Sequence, residues 1–302
     1  MTKAARGDLS VTALYTSAAW AWGKLPNAGL LESVEATRVF KVVNVALTVA
    51  RLFFTRLPSL AHSLLHRHTM IDHLLAASGA TRVIELACGL SRRGVTFAVD
   101  PSVTYVEVDL PHVVEKKRAL LGRTREGQVA LARPNWQLVA GDVSTLALGK
   151  LLPDAREAAA HPLFVIAEGL FMYLDAAAQR ALFASVAARL RSAGGGTFVF
   201  DLVPVCEQPR PGLVGRALSW LMKRFTGGQG FVRDPRTRGD IEAELRASGF
   251  DEVQLLEPQA VAKEWHLPFP DADTQQLVFV GRIAGVDSPT REPHTAPPEA
   301  SS

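Results

Sequence analysis

The chain has 302 residues, of which 48% are hydrophobic and 21% charged, enough for one large core with a small cap and too apolar for a disordered or fibrous chain. Its formal net charge of +3 is too small to point to nucleic acid. The two cysteines, Cys88 and Cys206, make no disulfide framework, and with no signal peptide readable at the start a cytoplasmic protein is expected.

Residues 1 to about 75 are expected to form a helical lid. Helical periodicity appears at Leu14, Ala18 and Trp22 and returns over Val39 to Leu57. That second run is apolar, but only nine uncharged residues separate Lys41 from Arg51, against about 20 needed to span a bilayer. Stable membrane insertion is therefore not expected, while weak surface association of residues 39–57 with anionic lipid stays open beside packing as a lid. Further along, His62, His66, His68 and His73 crowd one segment. His62 and His66 would share a helix face, but no cysteine joins them and the spacing matches no familiar ligand set, so no metal site is expected.

The stretch TRVIELACGLSRR, Thr81 to Arg93, reads as a strand buried on both faces that ends in a glycine turn at Cys88-Gly89. It carries neither GxGxxG nor GxxxxGK[ST], which weighs against a dinucleotide or a nucleoside triphosphate and leaves room for a nucleoside without phosphate. Short apolar runs then alternate with helical segments, the pattern of a parallel sheet. Strands are predicted near 82–87, 103–108, 136–140, 162–167 and 196–202, and helices near 111–121 and 176–192. Asp109, Asp142 and Glu168 each follow a strand, Asp109 about 20 residues past the turn, the spacing at which an acid meets ribose hydroxyls. Residues 203–235, rich in proline and glycine, break the rhythm as an insertion beside the same crevice. A helix in GDIEAELRASGF, a strand in DEVQLLEP and a last strand in QQLVFVGRI follow. Residues 285–302 are expected to be a disordered tail.

The strings ELACGLSRR, YVEVDLPHVVEKKRALL, GDV and AEGLFMYL resemble the successive motifs of the S-adenosylmethionine-dependent methyltransferases related to leucine carboxyl methyltransferase, including bacterial polyketide O-methyltransferases. The resemblance covers roughly residues 67–250. It implies a class I methyltransferase fold: a Rossmann-like, doubly wound α/β sheet of seven mostly parallel strands with an antiparallel last strand, filling residues 76–284. It also implies S-adenosyl-L-methionine as cofactor and S-adenosyl-L-homocysteine as product. Carried over by motif, Gly89 contacts the methionine part, Asp109 the ribose, Asp142 and the backbone of Val143 the adenine, and Glu168 the methionine end. Arg67, from RHTMID, meets the cofactor carboxylate, and Glu85 and Leu110 complete the expected contacts. The family turn CGLDTR reads CGLSRR here, so Ser91 replaces an acid while Arg93 survives.

The implied activity is methyl transfer to a carboxylate or hydroxyl oxygen of a small-molecule acceptor, with polyketide-like natural products among the candidates. A carboxylate acceptor is ionised at neutral pH and needs no general base; a hydroxyl wants one, with His112, His161 and His266 as spare candidates. Tyr173 and Arg93 are positioning candidates, Arg93 either for an acidic substrate or for the loop itself. A carboxyl methyltransferase acting on a protein C-terminus and a non-catalytic cofactor-binding subunit are the alternatives. The sequence leaves the acceptor and the oligomeric state open.

Overall fold

The computed structural model describes residues 11–53, 59–152, 162–204, 235–274 and 276–285. Most of the 203–235 insertion and all but the first residue of the expected C-terminal tail lie outside these described residues, as do Cys206 and His161.

Seven strands form one sheet in the order β3-β2-β1-β4-β5-β7-β6. They are β1 (Arg82–Leu86), β2 (Thr104–Asp109), β3 (Trp136–Ala140), β4 (Leu163–Ala167), β5 (Gly196–Asp201), β6 (Glu252–Leu256) and β7 (Val278–Ile283). Strands β1 to β5 run parallel, while β7 pairs antiparallel with both β5 and β6. This is the doubly wound, mostly parallel sheet with an antiparallel last strand that the sequence led us to expect. The first strand stops one residue early because Ala87 turns into the left-handed region at φ 51°.

The central strands alternate residues between two cores, which is why they read as unbroken apolar runs. Phe164 and Ile166 of β4 and Val83 of β1 join Met70, Ile71 and Leu75 on one face. Leu163, Val165 and Ala167 join Ile84, Leu86, Phe198 and Phe200 on the other. There Phe171, Phe183, Phe198 and Phe200 pack ring on ring, with centroids 4.4–6.4 Å apart.

The helices are α1 (Val11–Trp22), α2 (Val34–Phe53), α3 (Leu60–Ser78), α4 (Arg93–Phe97), α5 (Pro111–Leu121), α6 (Arg125–Leu131), α7 (Ala176–Ser192), α8 (Arg238–Ala247) and α9 (Pro258–Val261). Helix α3 starts at an Ser59 cap and ends at Gly79, whose φ of 62° suits the glycine that stops a helix. Its Met70, Ile71 and Leu75 belong to the main core under the sheet, and the helix runs on past the boundary expected at about residue 75. Leu14 and Ala18 of α1 and Ala36 of α2 join that core, while Tyr15 and Ala19 of α1 pack with Leu64 of α3 and with Val39, Phe40 and Val43 of α2 in a smaller cluster. No described helix is long and apolar enough to cross a membrane.

Candidate functional site

The strand order reverses direction of growth between β1 and β4, and ligands in such sheets bind beyond the carboxyl ends of the strands at that point. The turn after β1 is shaped by two departures from ordinary backbone on either side of Cys88, Ala87 at φ 51° and Gly89 at φ 53°. Among the described residues, a side chain at residue 89 would have only Ala13 of α1 near it, with its Cβ at 4.0 Å, so the bare backbone lies open beneath that helix.

Asp109 ends β2 and fastens this turn. The Gly89 N–H donates to Asp109 Oδ2 at 2.6 Å, and the Leu110 N–H donates to Oδ1 at 2.7 Å. Each carboxylate oxygen thus holds one backbone donor and keeps a second acceptor position. Burial raises the Asp109 carboxyl above its usual range, and the two N–H donors oppose that rise. Asp109 does not cap α5, whose cap position is Leu110. Leu110 is 41% exposed, a large apolar side chain left bare beside the acid.

Next to β2, the Gly141 N–H donates to the Asp109 carbonyl at 2.8 Å, bringing the end of β3 alongside. Asp142 is exposed and Val143 half-buried. Asp142 Oδ1 accepts from the Ser144 N–H at 2.9 Å and its hydroxyl at 2.6 Å, which closes a local turn and fixes the carboxylate.

On the other side of β1 lies a buried ionic network. Glu168, just past β4, accepts from Arg67 Nε at 2.8 Å, pairs with Arg93 at 2.6 Å and accepts from His68 Nδ1 at 2.8 Å. Burial alone would raise its carboxyl, but Arg93, His68 and Arg67 outweigh that and hold it well below the usual range. Arg67 also donates through Nη1 to Asp201 at the end of β5 (2.9 Å), and its Nη2 lies 3.4 Å from where a Cβ on Gly169 would stand. Arg93 is fully buried and donates to Glu85 (2.9 Å), to Asp72 (2.7 Å) and to the His68 carbonyl (3.0 Å). It therefore anchors the loop rather than presenting a cation to a substrate. Glu85 takes the Tyr105 hydroxyl at 2.7 Å as well and is 1% exposed, so it acts on the turn through Arg93.

Gly89, Asp109 and Leu110 are thus joined by direct hydrogen bonds, with Asp142 and Val143 on the adjoining strand end. Arg67, Glu85, Arg93 and Glu168 form a second, buried set behind the turn. Tyr173 stands in a 3-10 turn at Phe171–Tyr173, half-buried, and burial pushes its phenol upward while Thr12 of α1 lowers it.

Sequence reasoning missed four members of the network. Asp201 ends β5 as the other acids end their strands, so the same pattern could have found it. Asp72 lies within RHTMID but was passed over in favour of Arg67. Here it pairs with both Arg92 and Arg93, supplying from α3 a carboxylate to the turn in which Ser91 replaces one. His68 and Tyr105 gave no signal beyond being polar residues in apolar surroundings. The four histidines are otherwise engaged. His66 meets Thr274 and the Pro268 carbonyl, His62 stacks on Phe269, and His73 stacks on Trp265. Among the described residues no group of three His, Cys, Asp or Glu is placed to hold a metal.

The leucine carboxyl methyltransferase family profile matches residues 30–187, just over half of the chain. The chain belongs to that family. Over 134 residues it is 33% identical to a provisionally named S-adenosyl-L-methionine-dependent methyltransferase of Mycobacterium marinum, covering 44% of this chain and 41% of that one. A relative from Mycobacterium tuberculosis H37Rv with the same kind of name is 36% identical over 118 residues, 37% of this chain and 35% of its own. The chain thus matches about two fifths of the length of these relatives. A provisionally named methyltransferase from Thermobifida fusca shares the fold, with a TM-score of 0.55 at 17% identity, covering 92% of this chain and 96% of that one.

The family's cofactor is S-adenosylmethionine, and the residues present fit it. A ribose diol calls for a carboxylate with free acceptor positions, which Asp109 has. An adenine ring calls for apolar cover, and Leu110 is exposed beside that carboxylate with Val143 nearby. Backbone approach calls for bare glycine, and Gly89 is open.

Proposed function

We propose that this leucine carboxyl methyltransferase family member is an S-adenosylmethionine-dependent O-methyltransferase acting on a carboxylate or hydroxyl oxygen of a small molecule. The observation that carries the reading is the Gly89–Asp109–Leu110 arrangement at the β1/β4 switch point: an open glycine, a carboxylate with acceptors to spare and an exposed apolar side chain.

The bound cofactor supplies a methyl group on a sulfonium whose leaving group is a neutral thioether. The chain's own task is then to hold the nucleoside, exclude water and align an oxygen with the methyl carbon. In this reading Asp109 holds the ribose hydroxyls, Leu110 and Val143 cover the base, and Asp142 takes an adenine donor. Arg67 and Glu168 set the floor of the methionine end from within their network. Tyr173, its phenol kept neutral by burial, serves as a hydrogen-bond donor to the acceptor rather than as a base. A carboxylate acceptor suits that environment, since it arrives ionised and needs no proton removed. Helix α1, with Ala13 above Gly89, narrows the approach and supports a small acceptor over a protein C-terminus.

The test is calorimetric titration with S-adenosylmethionine and S-adenosylhomocysteine, with NADH as control. Saturable binding of the first two is expected, weakened by about 1–3 kcal/mol in Asp109→Ala, the scale of lost charge-assisted hydrogen bonds. Absence of binding by folded, cofactor-free wild type would end the methyltransferase reading. Transfer of labelled methyl to small organic acids, released as methanol by alkali, would separate ester formation from methylation of hydroxyl or nitrogen.

A further inference from the structure

Among the described residues, helix α2 has one face packed on the protein and one that is left exposed. Val39, Phe40 and Val43 pack inward, and the Tyr15 hydroxyl donates to Asn44 Oδ1 at 3.2 Å, fixing the roll of the helix. On the opposite side Val42, Val45 and Val49 follow one another at helical spacing and are 63%, 64% and 50% exposed. Val34, the first residue of the helix, is also exposed.

Charge says what covers this face. Arg38 and Lys41 are exposed beside the valines. From residue 36 to residue 57 the sequence contains Arg38, Lys41, Arg51 and Arg56 and no acid. The acid of the first turn, Glu35, is taken by Lys116 at 2.9 Å. A second copy meeting this face would bring cations to cations. An anionic lipid surface offers the complement: apolar depth for the valines and phosphate or carboxylate headgroups for Arg38 and Lys41.

We propose that the outer face of α2 docks this protein onto an anionic membrane surface, lying in the plane of the interface without crossing it. Val42, Val45 and Val49 enter the headgroup boundary and Arg38 and Lys41 pair with headgroups. The proposal is independent of the methyltransferase reading. The two are connected only by position: α2 rests on α1, and α1 covers the Gly89 turn, so a docked molecule holds that covered side of its crevice near the lipid.

The experiment is co-sedimentation of the full chain with phosphatidylcholine vesicles containing phosphatidylserine, against phosphatidylcholine alone. Binding to the anionic vesicles is expected, weakening as salt shortens the range of the attraction. The triple variant Val42→Ser, Val45→Ser, Val49→Ser and the pair Arg38→Glu, Lys41→Glu should each lower the partition coefficient on the order of tenfold. Circular dichroism and a thermal melt establish that each variant is folded; the single change Val45→Glu replaces the triple if it is not. Equal partition of wild type and folded variants would overturn the proposal, as would failure of wild type to bind anionic vesicles. A concentration-dependent dimer that the valine changes dissolve, with no lipid binding, would assign the face to a second copy instead.

Discussion

At Glu168 the side chains of Arg67, His68 and Arg93 converge on one buried carboxylate at 2.6–2.8 Å. Desolvating four such groups is expensive, and the arrangement is stable because nearly every cation has a second anion: Arg67 has Asp201, and Arg93 has Glu85 and Asp72. Removing one charge leaves buried partners uncompensated. Glu168→Gln is therefore expected to lower stability by about 3 kcal/mol, read as a shift of the urea midpoint at unchanged slope. A loss below about 1 kcal/mol would mean that water reaches the network. Glu168, Arg67 and Arg93 were legible from their motifs, but the acids that share those cations were not: Asp72 and Asp201 stand 96 and 33 residues from Glu168 in sequence. Only the packing of α3 against β4 and β5 makes them neighbours.

Helix α4 shows what an element needs beyond its own sequence. Its five residues are too few to hold a helix by propensity. What holds it is the Gly94 N–H donating to Glu107 Oε1 at 3.0 Å, with Glu107 itself paired to Lys117 at 2.5 Å in a fully buried site. Burial pushes the Glu107 carboxyl up to about 7 despite that lysine. A methyl group on Gly94 would run into Trp136 Nε1 and Glu107 Oε1. Gly94→Ala is thus expected to cost about 1–3 kcal/mol, measurable in the same unfolding assay, and to be tolerated only if α4 lifts from β2 and β3. Longer elements needed less help. Helices α5 and α7 stand where they were expected, near 111–121 and 176–192, with Pro111 in the first turn of α5. Neither α4 nor α6 was foreseen, since five and seven residues give too little periodicity.

For the molecule as a whole, the buried titratable groups set an acid limit. His68 is desolvated and lies beside Arg93, which holds its pKa well below 6.5; burial likewise lowers His66. Both bind protons more readily when unfolded, so their contribution is present above pH 6.5 and is lost as pH falls below it. Glu168, held well below 4.5, adds a second loss as pH drops under that value. Glu107, raised to about 7, works the other way and adds stability as pH falls through that value, so the histidine loss is read as the difference in urea midpoint between wild type and His66→Gln, which should shrink below about pH 6.5. A difference constant down to about pH 5 would show that His66 is not buried in solution. Local patterns in the sequence determined the parallel strands, the turn at Cys88-Gly89 and the positions of Asp109, Asp142 and Glu168, because both-face burial and strand-end punctuation are local, while the antiparallel last strand was implied by the family resemblance. Only the tertiary structure decided that Arg93 braces the turn, that Asp72 supplies a carboxylate from another helix, and that one face of α2 stays bare. Those outcomes depend on which distant segments meet, and burial fixes a charged group's role only once its neighbours are in place.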